Sequence, residues 1–300
     1  MGLVKNVALK VYYFNARSIR NKIIELQAFL DKEVPDILAL SETWLSPNDQ
    51  FIVRGYNVCR CDRLNKIGGG VAILVHENLK FVPIKLPNLL LTEATSIKIV
   101  CKEKSFQFSV LYNPPACKDE HLNELDAIFK SLESTDCHNV IVGDFNFPRI
   151  NWKDLCVTNS CSISETFLSL VNEYGYSQLV FSSTHVSFNV LDLVLSSSSN
   201  IVSILQIHEP FSAFDHSVLS FQVSSGCREH STRKKYPNYA KMDVWNFRKL
   251  FAELPWHSLF DQNTAAVQNV ILMNVFRFGF EQLLASLVWQ HEPVISSHHL

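Results

Sequence analysis

The chain has 300 residues, 47% of them hydrophobic and 19% charged, with a formal net charge of −2. That length suffices for one large domain of roughly two hundred residues and an appendage. The balance of charge, with a pI near 6.6, excludes a generally basic coat for nucleic acid, so any affinity for DNA has to come from a local patch or from a metal ion that neutralises phosphate. No long uncharged apolar segment is present, which argues against a helical membrane span. Eight cysteines occur without a Cys-x-x-Cys pair or a secretory signal. Neither Cys59 with Cys61 nor Cys156 with Cys161 has zinc-site spacing with histidine partners, so the sequence reads as an intracellular protein with reduced thiols.

In chain order, Val7 to Phe14 reads as a first strand, after which Ile19, Ile23, Leu26 and Leu30 recur at helical spacing until Pro35 forces a stop. The simplest use of that stripe is in the core. Asp36-Ile-Leu-Ala-Leu-Ser-Glu42 is a second apolar run, and segments 71–75, 81–84, 95–100 and 106–112 are short strand candidates separated by Gly, Pro, Asn and Lys. Leu122, Leu125, Phe129 and Leu132 predict a second helix leading into Asn139-Val-Ile-Val-Gly-Asp-Phe-Asn146, a buried-type strand expected to stop at Gly143. Ser162 with Glu165 makes a capping box for a third helix that carries Phe167, Leu170, Val171 and Tyr174 and ends at Gly175. Strands near 190–195, 201–207 and 217–223 close the domain. From Ser224 the composition shifts: Arg228, Arg233, Lys234 and Lys235 mark 224–242 as a solvated basic linker, or one that touches DNA backbone. Residues 243–300 carry Trp245, Phe247, Leu250, Leu254 and Trp256, then an amphipathic stretch from Val267 to Leu287. Mixed strands and helices imply a two-sheet α/β core wrapped by helices.

Polar residues occur at four places in or beside these apolar runs. Asp144 and Asn146, two residues apart, point the same way if the backbone is extended, which suits a carboxylate that takes a proton from water and an amide that fixes geometry. The plain alternative is a turn. Asp144 is expected to be solvated at its strand end. Glu42, closing the second run, has the oxygen donor that a hard divalent ion requires, and is otherwise a surface acid. Asp192 lies within the aliphatic run Val190-Leu-Asp-Leu-Val-Leu195, where an ionised carboxylate is costly unless paired. Asp215-His216 adds a further carboxylate and a titratable imidazole ahead of Ser217-Val-Leu-Ser-Phe-Gln-Val223; the plain reading is a satisfied core histidine.

The ordered set of Asn15 in Phe-Asn-Ala-Arg-Ser, Glu42 in Ser-Glu-Thr-Trp, Tyr112 in Leu-Tyr-Asn-Pro-Pro, Asp144 and Asn146 in Gly-Asp-Phe-Asn, Asp192 in Leu-Asp-Leu, and Asp215-His216 resembles the endonuclease/exonuclease/phosphatase superfamily. It is most similar to the apurinic-type endonuclease domain of non-long-terminal-repeat retrotransposons, through the loop Arg60-Cys-Asp-Arg63 leading to Gly68-Gly-Gly-Val71 and through Asp144-Phe-Asn-Phe-Pro148 with Asn151-Trp152. The match covers about residues 7 to 223. The resemblance implies a four-layered α/β sandwich, two mixed β-sheets flanked by helices, over 7–223, followed by a basic linker and, over 243–300, the helical connector of such elements. It further implies a magnesium- or manganese-dependent phosphodiester hydrolase that nicks DNA in the nucleus and leaves a 3′ hydroxyl and a 5′ phosphate. Glu42 would be the metal ligand with Asn15 and Asp215 near the ion; Asp144, with Asn146 beside it, would activate or orient the water. Tyr112 and His216 would contact the phosphate, and Asp192 would hold His216. Arg63, Asn113 and Thr184 fall at substrate-contact positions. Nothing resembling a reverse transcriptase precedes Leu300, so the chain reads as a piece of an element once fused to one.

Three positions depart from the pattern. Asn113 and His185 stand where arginine is usual, and Phe214 where serine is usual, which removes two cations and a hydroxyl from the rim. A small-molecule phosphoesterase of the same fold, acting on an inositol phosphate or a lipid headgroup, and a decayed noncatalytic fragment are the alternative readings.

Overall fold

The computed structural model describes residues 8–224, apart from 65, 101–104, 116, 134–136 and 213, together with the isolated positions 249 and 252. The expected linker and helical connector therefore lie, but for Ser224 and those two positions, outside the described residues. The chain runs β1 (Ala8–Asn15), α1 (Ile23–Glu33), β2 (Ile37–Ser41), β3 (Tyr56–Cys61), β4 (Val71–His76), β5 (Phe81–Ile84), β6 (Glu93–Ile99) and β7 (Phe106–Tyr112). It continues through α2 (Asp119–Leu132), β8 (His138–Asp144), the short β9 (Ile150–Asn151) and β10 (Cys156–Val157), α3 (Ser162–Glu173), β11 (Ser177–Gln178), β12 (Asp192–Ser196), β13 (Val202–Pro210) and β14 (Ser217–Ser224).

Two mixed six-stranded sheets result, one ordered β13-β14-β1-β2-β4-β3 and the other β11-β12-β8-β7-β6-β5, and β9 with β10 forms a separate ribbon. Side chains alternate across each strand, and the alternation sorts them into three cores. Val11, Tyr13, Ile37, Ala39 and Leu219 of the first sheet meet Phe108, Val110, Val140, Val142 and Val194 of the second. The intervening residues Tyr12, Phe14, Leu38 and Leu40 face outward and pack with Leu26 and Leu30 of α1. On the far side of the second sheet, Leu111, Ile141, Leu193 and Leu195 pack with Leu125 and Phe129 of α2 and Phe167 and Val171 of α3. Helix, sheet, sheet and helices make the two-sheet core wrapped by helices that the sequence pattern implies, and the four-layered α/β sandwich that the resemblance implies.

Several local expectations change. The strand expected to stop at Gly143 runs on to Asp144, and Gly143 is required for packing: a Cβ there would lie 2.1 Å from the Leu111 carbonyl oxygen of the parallel neighbour β7. Asp192 opens its strand rather than lying inside it. Ser162 is the first helical residue of α3, preceded by Cys161 with no side-chain cap, so the expected capping box does not form. The stop at Gly175 is as expected. At φ +67° it lets its own N–H reach Asn172 O and that of Tyr176 reach Val171 O, the paired bonds of a Schellman end. Arg60 and Cys61, read as part of a loop, belong to β3, an edge strand whose residues are only partly covered and whose apolar pattern is correspondingly weak. None of the described helices is long and apolar enough to cross a membrane, and the six described cysteines are free.

Because the Leu111 backbone cannot retreat from a paired strand, Gly143→Ala is expected to destabilise the protein by about 3 kcal/mol, the upper end of the usual cost of overpacking, read as a lowered midpoint in urea unfolding.

Candidate active site

Four strands of the second sheet hold one transverse row of polar side chains. Asp192 of β12 lies opposite Asp144 of β8, Asp144 opposite Tyr112 of β7, and Tyr112 opposite Glu93 of β6. Directly paired residues project to one face, and Val194, Val142 and Val110, two residues away, face the other sheet. The row therefore points into the rim of the inter-sheet core. From the first sheet, Asn15 and Ser41 end β1 and β2 in register, and Glu42 follows at φ +49°.

Asp192 is fully buried and Asp144 is 1% exposed, so both carboxylates need partners. Each Asp192 oxygen has a partner: His216 Nδ1 lies 2.7 Å from Oδ2 and Tyr13 donates its hydroxyl to Oδ1 at 2.8 Å. The backbone there is fixed separately, the N–H groups of Leu191 and Asp192 both donating to Thr184 Oγ1 at 3.1 Å. Asp144 has fewer: Asn15 Nδ2 donates to Oδ2 at 3.0 Å, His216 Nε2 stands 4.0 Å from the same oxygen, and buried Oδ1 has no protein partner among the described residues. The imidazole thus lies between two acids. Burial, then the charge of Asp192, pushes the Asp144 carboxyl well above its ordinary range, against the His216 charge and the Asn15 amide, which favour the anion. For His216, burial disfavours the imidazolium, but the Asp192 charge and hydrogen bond outweigh it and raise the pKa to about 9.

The expectation of a solvated Asp144 is overturned. So is the extended backbone assumed to aim Asp144 and Asn146 together: Asn146 has φ +56°, and the turn is clasped by Asn113. Asn113 donates Nδ2 to Phe145 O at 2.9 Å and its backbone N–H to Asp144 O at 2.9 Å, while Asn146 Nδ2 donates to Asn113 O at 2.8 Å. Fully buried and committed to this turn, Asn113 presents no group at the surface. Thr184 is likewise fully buried, with its hydroxyl accepting from the Asp192 segment and its carbonyl from Ser217 N. Both residues therefore shape the site from inside, away from the substrate-contact positions expected of them.

Arg63 is similarly engaged. Its Nε and Nη2 bond the two oxygens of Glu93 at 2.5 and 2.8 Å, and its guanidinium carbon stands 5.3 Å from the Tyr112 ring centroid. Gly69 leaves room for it, since a Cβ there would meet Arg63 Cζ at 2.4 Å. Burial, then the charges of Glu42 and Asp144, holds the Tyr112 phenol protonated far above its ordinary range. Glu42 is oriented from both sides, by Asn15 Nδ2 at 3.0 Å and by Trp44 Nε1 at 3.0 Å.

Of the ligand trio expected for a metal, Asn15 and Glu42 are in contact, while Asp215 is ion-paired with Arg17 and stands 3.6 Å from His185 Nε2. Among the described residues two acid and histidine groups have metal-binding spacing, Asp144 with Asp192 and His216, and His185 with Asp215 and His216. Glu42 belongs to neither. Asp144 Oδ1 and Asp215 Oδ1, both buried and without a protein partner, are the oxygen donors a hard cation takes. Tyr13, Ser41 and Glu93 were not singled out from the sequence. The signal was there for Tyr13, which sits two residues before Asn15 and so shares its face.

The pattern of the Endonuclease/Exonuclease/phosphatase family matches residues 12–210. The chain belongs to this family. It is 26% identical over 151 residues to the probable RNA-directed DNA polymerase from transposon BS of Drosophila melanogaster, covering 49% of the chain and 16% of that protein. The chain thus spans only a small part of that relative's length. Among solved structures, the endonuclease domain of TRAS1, a telomere-specific non-LTR retrotransposon, superposes with a TM-score of 0.61 at 13% identity, over 73% of the chain and 99% of that domain. The AP endonuclease LMAP from Leishmania major gives a TM-score of 0.58 at 14% identity, over 73% and 88%. At such identities the likeness is one of fold.

The His216 pKa of about 9 lies above the ordinary value of 6.5, so its contribution to stability is complete below about pH 6.5 and lost as pH rises through about 9. In metal-free protein, NMR is expected to place the imidazole midpoint near 9 and to find it at least about one unit lower in Asp192→Asn.

Proposed function

We propose that the chain is a divalent-metal-dependent DNA endonuclease that nicks target DNA for retrotransposition, leaving a 3′ hydroxyl and a 5′ phosphate. The observation that carries this reading is the convergence of Asn15, Glu42, Asp144, Asp192 and His216 on one rim, with a buried Asp144 oxygen left without a protein partner. DNA as substrate and origin in an element that also carried a reverse transcriptase are supported by the named relatives, one a retrotransposon endonuclease domain and the other a transposon RNA-directed DNA polymerase; a nuclear setting follows from that reading.

Magnesium or manganese would be held by Glu42, Asn15 and Asp215, all oxygen donors, and when bound supplies charge neutralisation at the phosphate and at the departing 3′ oxygen. The protein's own groups do the rest. Asp144, whose burial raises its affinity for protons, takes the proton of the attacking water, and the Asn15 amide holds that carboxylate in place. Asn146, anchored through Nδ2, keeps Oδ1 to orient the water. The His216 imidazolium, steered by Asp192 and Tyr13, offers positive charge to the phosphate, and the protonated Tyr112 phenol donates a hydrogen bond to it.

Nicking of supercoiled plasmid is expected with Mg²⁺ or Mn²⁺, to disappear on chelation, and not to return with Zn²⁺; full nicking in excess chelator would refute the metal requirement. Asp144→Asn removes the proton acceptor and is expected to lower the nicking rate by about 10²–10⁴-fold. The same change removes a buried charge, so the melting temperature should stay level or rise. A fall in both rate and melting temperature would assign Asp144 to folding instead.

A further inference from the structure

The segment between β1 and α1 carries two cations to the rim of this site. Its backbone is strapped to the Glu42 segment: Ala16 N donates to Ser41 O at 2.8 Å, Ser18 N to Glu42 O at 2.9 Å and Ile19 N to Thr43 O at 3.0 Å. Arg17 N donates to Asn15 Oδ1 at 3.0 Å, and Arg17 and Ser18 have φ of +33° and +78°, a conformation that costs energy in non-glycine residues and persists only where the surroundings enforce it. From this fixed loop the Arg17 side chain, 57% exposed, ion-pairs with Asp215 through Nη1. Lys22, at the N-cap of α1, places its ammonium 3.5 Å from the ring centroid of Phe214, and the ion pairs among the described residues do not include it.

Phe214 is thus more than a lost serine. Its ring is 8% exposed and packs against Phe211 at 5.7 Å between centroids, a fixed face on which an ammonium is held by the ring quadrupole. Phe214 and Asp215 are consecutive in the chain, so Lys22 over the one and Arg17 paired with the other stand at the same edge of the site. In a chain of net charge −2, with Arg63 committed to Glu93 and Asn113 buried, Lys22 and Arg17 are two cations among the described residues that this rim can offer to an anion.

We propose that Lys22 and Arg17 form a two-cation clamp for the phosphate backbone of the bound DNA strand, and that Phe214 is the platform that holds Lys22 in it. The clamp rests on the reading of the site as a DNA nuclease, and binding measured without metal separates the two.

Binding of the full chain to a fluorescein-labelled duplex would be followed by anisotropy in EDTA over a range of KCl concentrations. Lys22→Ala and Arg17→Ala are each expected to weaken binding about five- to tenfold near 0.1 M salt and to reduce the slope of log K against log[salt] by about one. Lys22→Arg keeps the slope. Phe214→Leu, which retains an apolar side chain in the buried place, is expected to weaken binding in the wild-type background and to add nothing in Lys22→Ala, since both changes act through one contact. Lys32→Ala, the same charge change at the other end of α1 and about 15 Å away along its axis, should leave binding unchanged. Salt-dependent binding by the wild type with the same affinity and slope in Lys22→Ala and Arg17→Ala would overturn the clamp and leave the nuclease reading standing. Absence of DNA binding by the wild type would overturn both.

Discussion

Two deeply buried carboxylates facing each other across a pair of antiparallel strands are the constraint on which this site depends. Asp144 and Asp192 are partners in the β8–β12 ladder, a placement that repels when both are charged and that water does not screen at this depth. The sandwich meets this by bringing β14 and β1 of the opposite sheet over the row. His216, entering β14, gives Asp192 an imidazolium; Tyr13 and Asn15 of β1 give one hydroxyl to Asp192 and one amide to Asp144. Neither sheet holds the acids alone. The folded state tolerates them only as a sandwich, and the same need for donors assembles the groups that phosphodiester chemistry uses.

Strain gathers around the same rim. Glu42, Trp44 and Asn146 all have left-handed backbone conformations, each held by ties from a neighbour. Thr43 N and Trp44 N donate to the carbonyls of Gly70 and Gly69 at 3.1 and 2.9 Å, and Asn113 clasps the turn that carries Asn146. The three glycines admit side chains at close quarters: Trp44 near Gly68, Arg63 over Gly69 and Thr43 against Gly70. Arg63 is the clearest consequence. Its charge goes to aligning Glu93 and the Tyr112 ring, so a residue that looks like a phosphate contact becomes part of the wall of the site. Positioning is achieved by burying polar groups with partners, which is costly to assemble and rigid once made.

The departures at Asn113 and Phe214 take on meaning in this setting. The side chain of Asn113 gives its amide to the Phe145 carbonyl and so ties the end of β7 to the turn after β8. Phe214 exchanges a hydroxyl for a face that holds Lys22.

Much of the fold was legible in the sequence because alternation and helical spacing are local: the runs around Val11, Leu38, Val110, Val142 and Val194 declare strands buried on both faces, and Leu26, Leu125 and Phe167 declare the helix faces that cover them. The order of Asn15, Glu42, Asp144, Asp192 and His216, each in or beside an apolar run, was legible for the same reason. Pairing was not. Which strand lies beside which, and at what offset, is a property of contacts between residues far apart in the chain, such as the 179 positions that separate Tyr13 from Asp192. Only the tertiary structure decided that Asp144 is buried, that Asn113 and Thr184 turn inward, and that Arg63 is spent on Glu93. Each of those outcomes depends on what another strand brings to the same few ångströms, and a residue's own neighbours in sequence carry no record of that.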